Sequence, residues 1–292
     1  LDEPVHLMVS AIEHSSVLTT AQYLETCGIE VDYISVDAKG HVCLEAYQDR
    51  FKPHTRLVSV MLANNETGVI QDIALLSRIA HEKGALFHTD AVQALGKVAI
   101  NVSEYGVDFL TCSAHKVYGP KGIGFLYVKD DALLKPLLIG ANHERRMRAG
   151  TENVSGIMAF GKACDQIHVA SFQTHTQALK DQFMEMLTQV IPDVVFHSDR
   201  QEGLTNTVSV SFLGVDGHGL AMNCDLEGIN VSTGSACSVG SVEPSHVLKA
   251  MGVSDEVNKS TLRFSFGKTS TADEVSHVCS VLSRLVSRMR TV

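Results

Sequence analysis

Short apolar segments alternate with stretches of helical periodicity through the first half of the chain. In order, the pattern predicts a strand at Leu7 to Ile12, a helix from about Ser16 to Cys27, a strand at Val31 to Val36, a short helix near Leu44 to Phe51 and a strand at Leu57 to Leu62. A helix over Ile73 to Lys83 stops at Gly84, and strands at Leu86 to Thr89, Phe109 to Cys112 and Ile123 to Val128 follow. Repeated strand–helix alternation implies an α/β fold, a mostly parallel sheet with helices on both faces. Ligands of such sheets gather at the carboxyl ends of the strands.

The pattern changes after Thr151. A long helical stretch, about Val154 to Val190, is expected to be interrupted or bent near His168 to Thr176 and to end before Pro192. Beyond it Thr207 to Phe212 alternates like a half-exposed strand, Leu220 to Leu226 looks helical, Thr261 to Phe266 is another strand, and Ala272 to Arg290 forms an amphipathic terminal helix. This reading gives a large domain over residues 1–172 and a smaller α+β domain over 173–292.

Composition narrows the class. The 292 residues are 45% hydrophobic and 20% charged, with a net charge of −9, so the chain can bury a large core and its acidic balance argues against nucleic acid. No run of ~18 or more apolar residues and no basic-then-apolar leader is visible, which makes the cytoplasm the default and argues against a membrane span. The seven cysteines are scattered without a Cys-x-x-Cys pair, unlike a disulfide framework or a zinc site. Cys237 differs from the others. It stands in Val231-Ser-Thr-Gly-Ser-Ala-Cys-Ser-Val-Gly-Ser241, a run of small, flexible, polar residues without apolar periodicity in which a thiol is expected to be accessible.

Two residues at predicted strand ends suggest chemistry. Lys116 follows the Phe109 to Cys112 strand and opens a Gly/Pro-rich loop, where an amine can form a Schiff base with a carbonyl cofactor. Asp90 closes the preceding strand. The gap between them suits one strand–helix–strand step, which needs roughly 30 residues, so both can face one crevice. Pyridoxal phosphate needs this pair: a lysine for its aldehyde and an acid beside its ring nitrogen. A surface ion pair is the competing reading.

Other candidates flank the same crevice. His14, at the end of the first strand, can lie against a flat ring or move protons, or else cap the following helix. Asn64 and Asn65 sit in a turn-forming Asn-Asn-Glu-Thr-Gly run at another strand end. Ser113 and His115 flank the lysine as phosphate donors, and the run Arg145 to Thr151 adds cationic and hydroxyl donors. Arg263 alternates with Leu262 and Phe264, so its guanidinium can grip an amino-acid carboxylate or form a structural ion pair. No P-loop or dinucleotide fingerprint is present.

Taken together, His14, Asn65, Asp90-Ala-Val-Gln93, Ser113-Ala-His-Lys116, the Arg-Ala-Gly-Thr-Glu-Asn run ending at Asn153, Ser235-Ala-Cys237 and Glu243-Pro-Ser245 resemble the cysteine desulfurases of the NifS/IscS type, pyridoxal-phosphate enzymes of the class V aminotransferase group. The resemblance spans the chain in the family's order. It implies that Lys116 holds the aldehyde of pyridoxal 5'-phosphate, Asp90 pairs with the pyridine nitrogen, Gln93 bonds the ring hydroxyl and His14 stacks on the ring. It further implies that Ser113 and His115 bind the phosphate, that Thr151 reaches the phosphate of the partner subunit in a homodimer, and that Asn65 and Arg263 hold the carboxylate of L-cysteine. Cys237 matches the nucleophile that takes the substrate sulfur as a persulfide and delivers it to an acceptor or iron–sulfur scaffold protein, leaving alanine.

The family's further N-terminal segment, with a phosphate-binding turn, has no counterpart before Leu1, and Ala141-Asn142 stand where the family usually has glycines. A truncated or processed form, or supply of that segment in trans, is therefore expected. Two rival readings accompany the main one: a selenocysteine lyase, and a non-catalytic homologue that binds a sulfur acceptor or scaffold.

Overall fold

Eight of the strands predicted above form, most within two residues of their expected bounds, and they fall into two sheets rather than one. The computed structural model describes residues 4–233 and 244–291. Through the first half run β1 (His6–Ser10), α1 (Ser15–Thr26), β2 (Glu30–Ile34), α2 (Leu44–Asp49), β3 (Thr55–Ser59), α3 (Ile73–Glu82), β4 (Leu86–Asp90), α4 (Val102–Tyr105), β5 (Phe109–Ser113) and β6 (Gly124–Val128). They make a six-stranded sheet in the order β2-β1-β3-β4-β5-β6. Neighbours pair in parallel except β6, which runs antiparallel to β5 along the edge. Parallel pairing points the carboxyl ends of β1, β3, β4 and β5 the same way, which is what lets distant loops share a site.

The second half contains α5 (Val154–Asp165), α6 (Val169–Val190), β7 (Val194–Phe196), β8 (Thr207–Phe212), α7 (Gly217–Leu226), β9 (Ser232–Thr233), α8 (His246–Ala250), α9 (Asp255–Lys259), β10 (Thr261–Ser265) and α10 (Ala272–Arg290). Its four strands form an antiparallel sheet ordered β7-β8-β10-β9. α10 begins where its periodicity says it should, because Thr271 and Glu274 close a reciprocal capping box on the first turn.

Each sheet has its own core. Met8, Ile34, Val58, Phe87 and Leu110 lie in the first, while Phe183, Leu187, Val210, Phe212, Leu262 and Leu282 pack α6 and α10 against the second sheet. Leu204, Val247, Leu248 and Met251, although late in the chain, belong to the first core. α8 is thereby docked beside the first sheet. Truncating Phe212, fully buried in the second core, is expected to cost about 3–5 kcal/mol in urea unfolding; a loss below about 1 kcal/mol would be incompatible with this packing.

The structure departs from the sequence reading in three places. The helical stretch breaks at 166–168 and then runs unbroken from Val169, so residues 172 and 173 lie inside α6. β8 is buried along its whole length, not half exposed. A polar side chain on it is accommodated where it meets polar partners: Ser211 Oγ donates to the Val257 carbonyl at 2.9 Å and lies 2.6 Å from Thr261 Oγ1. α4, β7, β9, α8 and α9 were not predicted, being too short for a period to show.

Candidate active site

β4 and β5 pair with Asp90 opposite Thr111, and the chain leaves β5 through a 3₁₀ turn at Ala114–Val117 that carries His115 and Lys116. Tyr118 ends this turn in the left-handed conformation at φ 64°, and Gly119 follows because a Cβ there would lie 2.9 Å from the Ala114 carbonyl oxygen. Lys116 is thus held on a tight, backbone-constrained turn. Asp90 is 7% exposed, and its Oδ1 accepts from the Val92 amide at 2.8 Å. Burial raises its carboxyl above the usual range; the Val92 bond and the charges of His14 and Lys116 pull it back down. Lys116 and His14 therefore both lie within reach of the charge on Asp90.

A cavity of about 870 Å³ opens at these strand ends. Asn65, Gln93, His115, Lys116 and Arg263 all line it, together with Lys97. None of its described lining residues is acidic, so in a chain of net charge −9 it forms a cationic basin suited to phosphate and carboxylate groups. Arg263 reaches it from β10 between buried Leu262 and Phe264, and its Nη1 donates to the Asn65 carbonyl at 2.7 Å. That bond joins the second sheet to the turn after β3.

The remaining candidates fare differently. His14 is the N-cap of α1, its Nδ1 accepting from the Ser16 amide at 3.1 Å, so the capping role is present beside its electrostatic link to Asp90. Asn64 is a turn former: its Oδ1 accepts from the Glu66 and Thr67 amides at 2.8 and 2.9 Å, and its Nδ2 donates to the Ile12 carbonyl at 2.9 Å. Ser113 is half-buried at the end of β5, outside the cavity lining. Burial and the neighbouring Lys116 and Lys121 lower the His115 pKa. Thr151 is exposed and away from the cavity. Cys237 lies outside the described residues.

Sequence reasoning passed over three buried ionisable groups. Glu13 is fully buried, its Oε1 accepting from the Met61 amide at 2.5 Å, and burial raises its pKa strongly. His246 of α8 donates to the Glu13 carbonyl at 2.8 Å, next to His14. Glu66 is 4% exposed and accepts from Ser245 Oγ; burial pushes it up to about 7, moderated by Ser245 and Arg263. Its place in a turn-forming run disguised it. Lys97 is the third, and its spacing from Gln93 was the available signal.

Residues 1–278 match the class-V aminotransferase family. The chain is 41% identical over 292 residues to the cysteine desulfurase IscS of Dictyoglomus turgidum, across 98% of this chain and 73% of that protein. It superposes on a NifS-like protein with a TM-score of 0.91 at 33% identity, covering 98% of this chain and 76% of the other. SspA in complex with cysteine gives 0.78 at 32% identity, with 90% and 74% covered. The chain belongs to the class-V aminotransferases, enzymes that in general depend on pyridoxal phosphate, and within them to the cysteine desulfurases. No helix among the described residues is long and apolar enough to cross a membrane.

Proposed function

We propose that this chain binds pyridoxal 5'-phosphate in the cationic cavity and acts there on L-cysteine, releasing alanine and passing the sulfur as a persulfide on Cys237 to an acceptor. The observation that carries this is the convergence of Asp90 and Lys116 at the ends of the paired strands β4 and β5, with His14, beyond β1, close enough for its charge to act on Asp90. The donor set fits the cofactor: an amine on a rigid turn for the aldehyde, a buried carboxyl for the ring nitrogen, and cations for the phosphate. When bound, pyridoxal phosphate supplies an electron sink for charge left on a substrate carbon.

The chain's own residues divide the remaining work. Asp90, shielded from water, keeps a ring nitrogen protonated more effectively than a solvated acid. Lys116 would hold the aldehyde, and its amine is the group placed to move a proton at a substrate carbon. Gln93 and His115, which line the cavity, would bond the ring hydroxyl and the phosphate, and His14 and Ser113, outside that lining, would cover the ring face and add a phosphate donor. Arg263 and Asn65 bind the substrate carboxylate, the guanidinium being already oriented by the Asn65 carbonyl. Glu66, behind Arg263, ties this turn to Ser245 at the start of α8.

A homodimer is supported by an apolar strip around Thr151. Leu137 and Ile139 are 93% and 88% exposed, and Phe125, Ile157 and Met158 are also exposed. Covering such a patch with a second copy is how soluble chains tolerate it, and in such a dimer the exposed Thr151 would be available to a partner's phosphate. The described cysteines are all free thiols, in keeping with a reducing compartment such as the cytoplasm. The Dictyoglomus relative's name, IscS, supports an iron–sulfur scaffold as acceptor.

Cys237→Ala separates cofactor binding from sulfur transfer. The variant is expected to keep the visible absorbance of bound pyridoxal phosphate while alanine and sulfide formation from cysteine fall to background. Undiminished desulfuration would remove Cys237 from the reaction, and alanine formed from selenocysteine but not cysteine would favour a lyase.

A further inference from the structure

Lys97 is 9% exposed, in the wall of the cavity that Gln93, Lys116 and Arg263 also line. A buried ammonium is costly unless its protons are used. Its Nζ donates to Gln93 Oε1 at 2.7 Å. The lysine's backbone is fixed from both sides: its amide donates to the Ala94 carbonyl at 2.9 Å, and its carbonyl accepts from Gln173 Nε2 of α6 at 2.8 Å. Gly96, at φ 76°, brings this turn against the Lys116 turn, since a Cβ on it would lie 3.0 Å from Val117 Cγ1. The position of Lys97 relative to Lys116 is therefore set by packing.

We propose that Lys97 is a positioning residue for the cofactor, fixing the Gln93 amide so that its NH₂ group faces the ring hydroxyl of pyridoxal phosphate. This rests on the cofactor reading above. An ammonium has no acceptor, so the amide oxygen must turn toward it. The amide nitrogen then points the opposite way. Without Lys97 the amide is free to present either atom, and an oxygen facing the ring's oxyanion would repel it. Burial, with the charges of Lys116 and Arg263, pushes the Lys97 amine down to about 7. An anionic group entering this basin opposes both effects, so cofactor and charged Lys97 favour one another.

The test is a spectrophotometric titration of the full chain with pyridoxal phosphate, comparing the parent with Lys97→Met, Gln93→Leu, the double variant and Lys97→Gln. A hydrogen bond to the ring oxygen stabilises it as an oxyanion and loosens its hold on the neighbouring proton. Lys97→Met is thus expected to raise the pH midpoint of the visible band by about one unit and weaken cofactor binding about tenfold. Gln93→Leu should do the same, and the double variant should be no worse than Gln93→Leu alone.

Lys97→Gln, whose amide offers an acceptor as well as a donor and so no longer fixes which way the Gln93 amide turns, should lie between the parent and Lys97→Met, and a fully parent-like Lys97→Gln would count against the proposal even if Lys97→Met does not fold. Several results would overturn the proposal: a parent-like midpoint in Lys97→Met, multiplying effects in the double variant, or a lowered melting temperature with no spectral change. A parent chain with no visible band that depends on Lys116 would overturn the cofactor reading itself, and this proposal with it.

Discussion

Lys116→Ala is expected to give a folded protein that develops no visible band with pyridoxal phosphate and forms alanine from cysteine at least about 10³-fold more slowly. The amine is supplied by a four-residue 3₁₀ turn whose exit requires Tyr118 in the left-handed region and a glycine behind it, which fixes where the Lys116 side chain leaves the backbone. Lys97 lines the same cavity but is engaged by Gln93. Lys116 is exposed to the cavity and contributes nothing to either core, so thermal stability should be unchanged. A band that survives the substitution would show that another amine holds the aldehyde.

Asp90→Asn should separate chemistry from stability. With cofactor bound, kcat is expected to fall about 10³-fold with a smaller change in KM, because an amide cannot keep the ring nitrogen protonated. Unchanged kcat would place the acid elsewhere. Without cofactor the sign reverses. The folded carboxyl has a raised pKa, so the native state binds more protons than the unfolded chain at intermediate pH, and stability falls as pH rises above the unfolded value of about 3.9. The cofactor-free variant should thus melt no lower than the parent at pH 7, and this advantage should vanish below about pH 4. A lower melting temperature at pH 7 would contradict the burial penalty assigned to Asp90.

Much of the site was legible because its residues sit at the ends of periodic segments. The apolar runs closing at Asp90 and before Lys116 place both residues at strand ends, and parallel pairing does the rest. Gln93 follows from the same loop. The Asn64-Asn65 pair was only half readable: both amides are at a strand end, but Asn64 is consumed by its own turn while Asn65 lines the cavity. Glu13 and Glu66 were silent, since a carboxylate next to a histidine or inside an Asn-Asn-Glu-Thr-Gly run reads as surface or turn. Their burial depends on α8, whose Ser245 and His246 meet them from far along the chain.

Local order along the chain by itself determined the strand–helix alternation, the start of α10 and the placing of Asp90 and Lys116, because side-chain period and capping act over a few residues. Only the tertiary structure decided which side chains meet: Arg263 with Asn65 across 198 positions, Ser245 with Glu66, and Lys97 enclosed beside Gln93. It also decided that β8 is covered on both faces despite its alternating residues. The reason is that burial and charge pairing depend on the packing of separate elements, and no periodicity within one segment encodes what another segment will press against it.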